Sequence, residues 1–355
     1  CGVLSDQSAW CWGYNSSGQV GNNTTDTMLI PTAVPGFGPG STVELAAGYS
    51  HTCALKTDGS VWCWGSNYAG QLGDGTTVAN PLPAQVTGLG PGTALSIGAG
   101  SAFTCVIKTD HSVWCWGSNS SGQLGDGSND SSSVPVAVAV QPAMGSEVVQ
   151  LSCGTGFNCI IDNEDGVWCW GNNASGQLGV GHTTDSNIPL QIDSDYLGAG
   201  NTPLIISTGG NFACAYIANN KVYCWGSNSN GQLGDGTTIS RPYAQGFDIP
   251  NPSTVVSLSA GSYSACLVRN SGSTWCWGGN SYGQLGDGTT TDRYIMTQVT
   301  NLVDDTSLKV FVGQYTSCTI RTNGSGWCWG NGGYGQLANG ETLNYPTPQE
   351  MSYPF

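Results

Sequence analysis

The sequence predicts an all-β fold, a seven-bladed β-propeller whose blades are four-stranded antiparallel sheets with one hairpin disulfide each. Three observations predict it: seven pairs of cysteines spaced ten residues apart, a repeat period of about 52 residues, and a Gly-Gln motif at a fixed distance after every pair. A fixed period of this kind is typical of a repeat array. We therefore interpret residues 1–355 as a single propeller domain.

Each cysteine pair predicts a β-hairpin that is cross-linked between its strands. In the second repeat, a three-residue turn ending at Gly59 places Cys53 opposite Cys63, which is within disulfide reach. Zinc is the alternative, but it prefers short C-x-x-C spacings. Seven disulfides indicate an oxidising compartment, so we expect an extracellular or cell-surface protein. The predicted pairs are Cys1–Cys11, Cys53–Cys63, Cys105–Cys115, Cys159–Cys169, Cys214–Cys224, Cys266–Cys276 and Cys318–Cys328.

The turn residues and the tryptophans agree with this hairpin. The third turn position needs a residue that tolerates positive φ. Alternation along the Trp-Cys-Trp strand puts the cysteine on one face and both indoles on the other, so we interpret the 13 tryptophans as packing between blades. The third turn positions hold Gln7, Gly59, His111, Asp165, Asn220, Gly272 and Gly324.

Two further strands per repeat complete the four-stranded blade. An inner strand is indicated by an apolar residue eight positions before the first cysteine, at Leu45, Ile97, Leu151, Ile206, Leu258 and Val310. Prolines suit an exposed edge strand, and they cluster just before an apolar residue that we assign to the outer strand. Those outer apolar residues are Val34, Val86, Val138, Ile192, Phe247, Val299 and Met351.

The element count leaves one inner strand missing, because Cys1 begins the chain inside a repeat. We expect the chain to be an excerpt, with the missing strand before Cys1, after Phe355 or in a neighbouring subunit. Cys153 is left over from the pairs, and we expect it to be a buried, unpaired thiol on an inner strand.

The run VWCWGSNYAGQLGDGTT, from Val61 to Thr77, resembles the repeat of the regulator-of-chromosome-condensation family, and similar runs cover nearly the whole chain in seven copies. The resemblance implies the same seven-bladed propeller. The family includes a chromatin-bound nuclear exchange factor for a small GTPase, a plant ultraviolet-B photoreceptor and secreted bacterial inhibitors of β-lactamase. Because these functions differ, the resemblance implies a fold and leaves the function open.

Charge and composition exclude several classes of function. The chain has 8 Lys+Arg against 23 Asp+Glu and a net charge of −15, which excludes a surface that binds nucleic acid. This charge and the disulfides argue against the nuclear exchange factor, and every tryptophan already belongs to the strand motif, unlike in the photoreceptor. No apolar run approaches the ~20 residues of a membrane helix, so we expect no membrane span.

The sequence predicts no enzyme, no cofactor and no metal site. His51, His111 and His182 occupy three different repeat positions, so a metal or acid–base cluster is not expected. The G-D-G-T-T-type loops offer one carboxylate each, whereas calcium needs six to eight oxygens, and we interpret them as turns. A loop-based enzyme is the second alternative for the function. The carboxylates are Asp74, Asp126, Asp235 and Asp287.

What remains is a binding surface on the short loops that follow the inner strands. Their aromatic residues predict a face for a protein or glycan partner; the alternative is that the rings only cap the blades. We favour an adhesin-like or inhibitor-like binding module, and the first alternative is a structural subunit that assembles with copies of itself, for example into a filament. The candidate binding residues are Tyr49, Phe103, Phe157, Phe212, Tyr263 and Tyr315.

Seven N-x-S/T triplets are consistent with an exported glycoprotein, although an Asn-, Ser- and Thr-rich chain also produces such triplets by chance. They begin at Asn15, Asn22, Asn23, Asn119, Asn129, Asn173 and Asn323.

Overall fold

The computed structural model describes residues 1–140, 144–145, 147–198, 200–249, 254–302 and 306–352, and it has the all-β, seven-bladed propeller architecture that the sequence predicts. Six sheets contain four antiparallel strands in chain order, and the first sheet contains three. The chain divides into two compact units. Unit 1 comprises Cys1–Glu164, Trp168–Asn172 and Asp185–Leu190, and unit 2 comprises residues 165–167, 173–184 and 191 onward.

The strands follow one another blade by blade. Blades 1 to 3 contain β1 Gly2–Val3, β2 Ala9–Gly13, β3 Met28–Ala33, β4 Thr42–Ala47, β5 His51–Lys56, β6 Val61–Gly65, β7 Asn80–Gln85, β8 Ala94–Ala99, β9 Phe103–Lys108, β10 Val113–Gly117 and β11 Ser132–Ala137. Blades 4 and 5 contain β12 Val148–Cys153, β13 Phe157–Asp162, β14 Val167–Gly171, β15 Ser186–Gln191, β16 Pro203–Thr208, β17 Phe212–Ile217, β18 Lys221–Gly226 and β19 Arg241–Asp248. Blades 6 and 7 contain β20 Val255–Ala260, β21 Ser264–Arg269, β22 Thr274–Gly278, β23 Arg293–Gln298, β24 Ser307–Val312, β25 Thr316–Arg321, β26 Gly326–Gly330 and β27 Tyr345–Glu350.

The hairpin prediction is confirmed in all seven blades. The seven predicted disulfides are formed, and Cys53 lies directly opposite Cys63 in the ladder between β5 and β6. The residue at the third turn position has a positive φ in every blade, from 61° at Asn220 to 83° at Gly272. The choice of turn residue therefore sets the register that brings the cysteines together.

The second indole of the Trp-Cys-Trp strand fastens each of blades 2 to 7 to the preceding blade. In unit 1 the Nε1 of Trp116 donates to the carbonyl oxygen of Gln71 at 2.9 Å, and in unit 2 Trp277 donates to Gln232 at 2.9 Å. Both indoles are fully buried. The same bond joins Trp64 to Gln19, Trp170 to Gln123, Trp225 to Gln177 and Trp329 to Gln284.

The hydrogen bond between the indole and the glutamine carbonyl explains why the repeat contains a Gly-Gln motif. Gly70 has a φ of +82°, and a Cβ there would lie 2.5 Å from the backbone of Ser133 in the outer strand of the next blade. Only glycine allows this close approach, which delivers the carbonyl of Gln71 to the indole. The motif is thus an element of blade-to-blade packing.

A buried asparagine organises the loop that follows the third strand. In blade 6 the Nδ2 of Asn280 donates to the carbonyls of Thr289 and Thr291, and its Oδ1 accepts from the backbone N–H of Leu285 at 2.9 Å. Asn280 is fully buried, so these bonds satisfy its polar atoms and fix the loop. Equivalent fully buried residues are Asn15, Asn67, Asn119, Asn173 and Asn228.

The first strands of neighbouring blades are joined by side chains. In unit 2, Ser207 Oγ accepts from the backbone N–H of Ala260 at 2.9 Å, and Ser259 Oγ accepts from Val312 at 3.0 Å. In unit 1, Glu44 accepts from the backbone N–H of Ile97 at 3.1 Å. These side chains give partners to backbone donors on strands that are at the edge of their sheets.

Cys153 ends β12, the first strand of its sheet, and has no disulfide partner, as predicted; the residue is half-buried, however, and not fully buried as expected. Burial raises the pKa of its thiol, and the nearby Glu44 carboxylate adds to the rise. The prolines expected in outer strands lie on the last strand of their sheets, at Pro31, Pro83, Pro135, Pro189 and Pro348. In six blades the apolar residue assigned to the outer strand lies just after that strand ends: Val34 follows β3, and Val86 follows β7. Among the described residues, the model contains no helix of the length and apolarity needed to cross a membrane.

Candidate binding surface

Two loops of each four-stranded blade lie side by side at one end of its sheet. One connects the first and second strands, and the other follows the third strand. Backbone hydrogen bonds join them: Ser66 donates to the carbonyl of Ser50 at 2.8 Å in unit 1, and Gly279 donates to that of Tyr263 at 2.8 Å in unit 2. Aromatic residues on either loop can therefore contribute to the same surface of a unit.

The expected set of six exposed aromatic residues is corrected by the structure, since three of them are fully buried. Phe103, Phe157 and Phe212 are the first residues of β9, β13 and β17, and their side chains belong to the hydrophobic cores. The Phe103 ring lies over Gly100, where a Cβ would come within 2.0 Å of it. These three rings close off the ends of the blades, so they do not form part of an exposed surface.

The other expected residues are accessible. Tyr49 is 71% exposed in unit 1, and Tyr263 is 36% exposed in unit 2, where Tyr315 is half-buried. The rings of Tyr263 and Tyr315 stack, with centroids 5.4 Å apart and an interplanar angle of 16°. Tyr282, from the loop after β22, contacts Tyr315 at a centroid distance of 4.7 Å. We name Tyr263, Tyr282 and Tyr315 the tyrosine cluster.

The fold holds the tyrosine cluster in place. The backbone N–H of Tyr282 donates to Oε1 of the buried Gln284 at 3.0 Å, within the loop that Asn280 organises. Tyr315 sits between blades 6 and 7, because it contacts both Tyr263 and Tyr282 of blade 6. Burial, and then the hydrogen bond with the Tyr263 hydroxyl, raise the pKa of Tyr315 above the usual value of tyrosine. Tyr315 therefore stays neutral at physiological pH and offers a hydroxyl group beside the rings of the cluster.

Unit 1 carries exposed tyrosines on the same kinds of loop. Tyr14 is 47% exposed and Tyr68 is 72% exposed, and both lie between the Trp-Gly and Gly-Gln pairs of the repeat motif. Sequence reasoning missed these residues and Tyr282, because it considered the first loop only. The signal was present in the sequence, because variable positions inside an otherwise fixed motif hold tyrosine in several repeats.

Two of the four acidic loops hold their carboxylate in an ion pair with an arginine, and these two carboxylates are buried. Burial alone would raise the pKa of Asp287, but hydrogen bonds from Thr289 and Arg293 hold it below the usual range. Arg293 Nη2 lies 2.7 Å from this carboxylate, and Asp235 forms the same pair with Arg241 at 2.9 Å. These carboxylates are therefore already neutralised by the protein's own groups.

The three histidines belong to three different structural elements. His51 begins β5 and is buried, His111 occupies the turn of blade 3, and His182 lies in a loop of unit 2. No group of three or more His, Cys, Asp or Glu side chains with metal-binding geometry occurs among the residues that the structure describes.

Comparison with known proteins gives the family. The model of the regulator of chromosome condensation (RCC1) repeat matches six segments that together cover most of the chain: residues 6–55, 58–107, 110–161, 164–216, 219–268 and 271–320. A second model of the same repeat matches five segments between residues 43 and 284.

Two relatives are less than one-third identical to the chain over the aligned residues. The human E3 ubiquitin-protein ligase HERC2 is 29% identical over 296 residues, which are 81% of this chain but only 6% of the ligase. The ultraviolet-B receptor UVR8 of Arabidopsis thaliana is 27% identical over 317 residues, 89% of this chain and 71% of the receptor. The chain thus spans a small fraction of the ligase and a larger part of the receptor.

Solved structures share the fold over nearly the full length. Human WBSCR16 aligns with a TM-score of 0.85 at 20% identity and covers 97% of this chain and 94% of its own. Yeast RCC1 (Prp20), solved in complex with Kap60, aligns with a TM-score of 0.84 at 21% identity and covers 99% of this chain and 85% of its own. With repeat models matching more than half of its residues, the chain belongs to the regulator-of-chromosome-condensation repeat family.

Proposed function

We propose that the protein is a non-enzymatic, extracellular or cell-surface propeller that binds a protein partner through the tyrosine cluster. The observation that carries this proposal is the contact of three partly exposed rings: Tyr315 stacks on Tyr263 and makes a tilted contact with Tyr282. Tyrosine supplies a large contact area at low entropic cost and is enriched at binding hot spots.

Two further observations support the proposal. Propellers of this fold bind proteins: yeast RCC1 was solved bound to Kap60, and another study of Prp20p describes its binding to Gsp1p and histones. The net charge of −15 of the present chain disfavours a polyanionic partner such as chromatin. Its seven disulfides support an oxidising compartment, because cytosolic proteins rarely keep such bonds.

The binding proposal predicts that loss of the tyrosine cluster abolishes recognition. We would pan a displayed library of secreted and cell-surface protein domains with the purified protein and measure each binder by surface plasmon resonance. The triple variant Tyr263→Ser/Tyr282→Ser/Tyr315→Ser should weaken binding by about 30-fold or more, as expected for loss of a hot spot.

Tyr294→Ser is the matched control. Tyr294 is 45% exposed on the outer strand β23 of blade 6, and the equivalent residue of blade 3 is Ser133, so this change has a precedent in the repeat. Binders that tolerate the triple variant, or that respond equally to the control, would contradict the proposal. Sedimentation of the wild-type protein as ordered polymers would instead favour a structural subunit.

Burial predicts which N-x-S/T triplets can be glycosylated. Asn15, Asn119 and Asn173 are fully buried and their Nδ2 groups donate to loop carbonyls, so an attached glycan would destroy the loop. On secretion from a eukaryotic host, we expect glycans only at the accessible triplets, of which Asn129 and Asn323 are examples, together with the Asn22-Asn23 segment. Peptide mass spectrometry checks this, and a glycan at any of the three buried positions would show that the loop geometry is wrong.

A further inference from the structure

A groove in unit 2, away from the tyrosine cluster, is lined by aromatic and polar groups. It has a volume of about 400 Å³ and lies between β19 and the 3-10 helix Ser194–Leu197. Its lining residues are Asp195, Tyr196, Gly198, Tyr223, Tyr243, Ala244, Gln245 and Gly246.

Two substitutions at opposed positions open this groove in blade 5. Tyr223 stands where the other six repeats have tryptophan, and it pairs across the sheet with Gly246. The residues paired with the corresponding tryptophans in blades 2 and 6 are Gln85 and Gln298. A Cβ at Gly246 would lie 2.6 Å from the Tyr223 ring, so the ring occupies the space that a side chain would need.

The wall opposite Tyr223 comes from the connection between blades 4 and 5. The 3-10 helix carries Tyr196, whose ring packs against Tyr243 with centroids 5.6 Å apart and an interplanar angle of 34°. Asp193 anchors the helix, because its side chain accepts from the backbone N–H of Asp195 at 3.0 Å. The groove is therefore built from ordered elements on both sides.

The chemistry of the lining is amphipathic. The side chains that can reach a ligand are three phenols, one carboxylate and one carboxamide; Ala244 is buried. The Tyr223 hydroxyl accepts from Asn219 Nδ2 at 3.2 Å, so its own hydrogen can be donated to a ligand. A matching ligand must present apolar C–H faces to the rings and hydroxyl groups to the polar atoms, which is the pattern of a pyranose sugar.

Charge narrows the class of sugar. Asp195 contributes a negative charge to the lining, and the lining residues include no cation. Arg241, which interacts with Tyr243, is already paired with the Asp235 carboxylate at 2.9 Å. We infer that this groove, defined by Tyr196, Tyr223 and Tyr243, binds a neutral saccharide, and that it is a second site distinct from the tyrosine cluster.

Saturation-transfer NMR on the full chain tests the inference. The probes are maltotriose, cellotriose, chitotriose and lactose as neutral sugars, trigalacturonate as an acidic sugar, and a proline-rich peptide with a flanking arginine. We expect transfer to the C–H protons of at least one neutral sugar and none to trigalacturonate. Tyr196→Ser and Tyr243→Thr should each reduce that transfer about fivefold or more, as for a residue that carries a large share of binding.

Matched variants separate binding from folding. Thr347 occupies the position of Tyr243 in blade 7, so Tyr243→Thr is compatible with the repeat. The double variant Tyr223→Trp/Gly246→Gln restores the pair Trp275 and Gln298 of blade 6, and it should fill the groove and abolish transfer. Tyr294→Ser, on the outer strand of blade 6, should leave transfer unchanged.

Three results would overturn the inference: no transfer to any neutral sugar, transfer that survives both tyrosine variants, or binding of the proline-rich peptide alone. The last would assign the groove to a peptide, because aromatic grooves also recognise polyproline helices. None of these results depends on the protein partner of the tyrosine cluster, so the two proposals can fail separately.

Discussion

Replacement of Trp116 by alanine is expected to lower the free energy of unfolding by about 3–5 kcal/mol, the usual effect of removing a buried aromatic ring. Trp116 is fully buried in unit 1 and its Nε1 donates to Gln71 of the preceding blade. The variant therefore loses apolar burial and a hydrogen bond between blades together. Guanidinium unfolding of the oxidised protein, followed by tryptophan fluorescence, measures the effect.

Trp114→Tyr is the control for this prediction, because Trp114 lies two residues before Trp116 on the same strand and the same face. Its indole is half-buried beneath the Lys108 ammonium, which lies 4.6 Å from the ring centroid. Blade 5 carries Tyr223 at the equivalent position, so a cost of no more than about 1 kcal/mol is expected. Equal losses in the two variants would show that the fastening role does not belong to the second indole.

The parts of the fold that follow from local rules could be predicted from the sequence. The turn ending at Gly59 sets the opposition of Cys53 and Cys63, because a three-residue hairpin admits one register. The alternation of side chains then places Trp62 and Trp64 on the opposite face from the cysteine. The disulfide pairing and the alternation of side chains along a strand can therefore be predicted from the local sequence alone.

The binding residues were harder to predict, because a difference of one residue in where a strand begins decides whether a ring is buried or exposed. Phe103 begins β9, and its ring turns into the core, whereas Tyr263 and Tyr315 lie one residue before their strands and point outward. A shift of one position reverses the face of a side chain. The exposed rings could be separated from the buried ones only when the start of each strand was known.

The groove of blade 5 could not be predicted from the sequence. It depends on the pairing of Tyr223 with Gly246, and this pair lies next to a shift of register between Cys224 and Gly226. A bulge of this kind moves the partner of every residue beyond it. The substitution of tyrosine for tryptophan was visible in the sequence, but its opposed glycine was not.

Acidification is expected to destabilise the protein through His51. Burial lowers the pKa of this histidine to about 4, from the ordinary value of 6.5. The folded protein therefore favours the neutral ring, and the unfolded chain binds the proton more readily. The stabilisation is complete above pH 6.5 and is lost as the pH falls toward 4, by an amount of about 3 kcal/mol.

The surroundings of His51 explain the direction of this effect. Its Nε2 lies 2.9 Å from the hydroxyl of Thr104, while its Nδ1 is buried without a hydrogen-bond partner among the described residues. A protonated ring would bury a charge and leave a donor unsatisfied, and both are costly. The neutral tautomer with its hydrogen on Nε2 fits the site, because it can donate to the hydroxyl.

The variant His51→Phe isolates this contribution. Phe103, Phe157 and Phe212 occupy the equivalent position in other blades, so phenylalanine suits the site. We expect the wild-type protein to lose about 3 kcal/mol relative to the variant between pH 7 and pH 4, measured as the difference in unfolding free energy at each pH. Carboxylates with lowered pKa, such as Asp58 and Asp110, contribute equally to both proteins and cancel. Parallel pH profiles for the two proteins would show that His51 is charged, or already solvated, in the folded state.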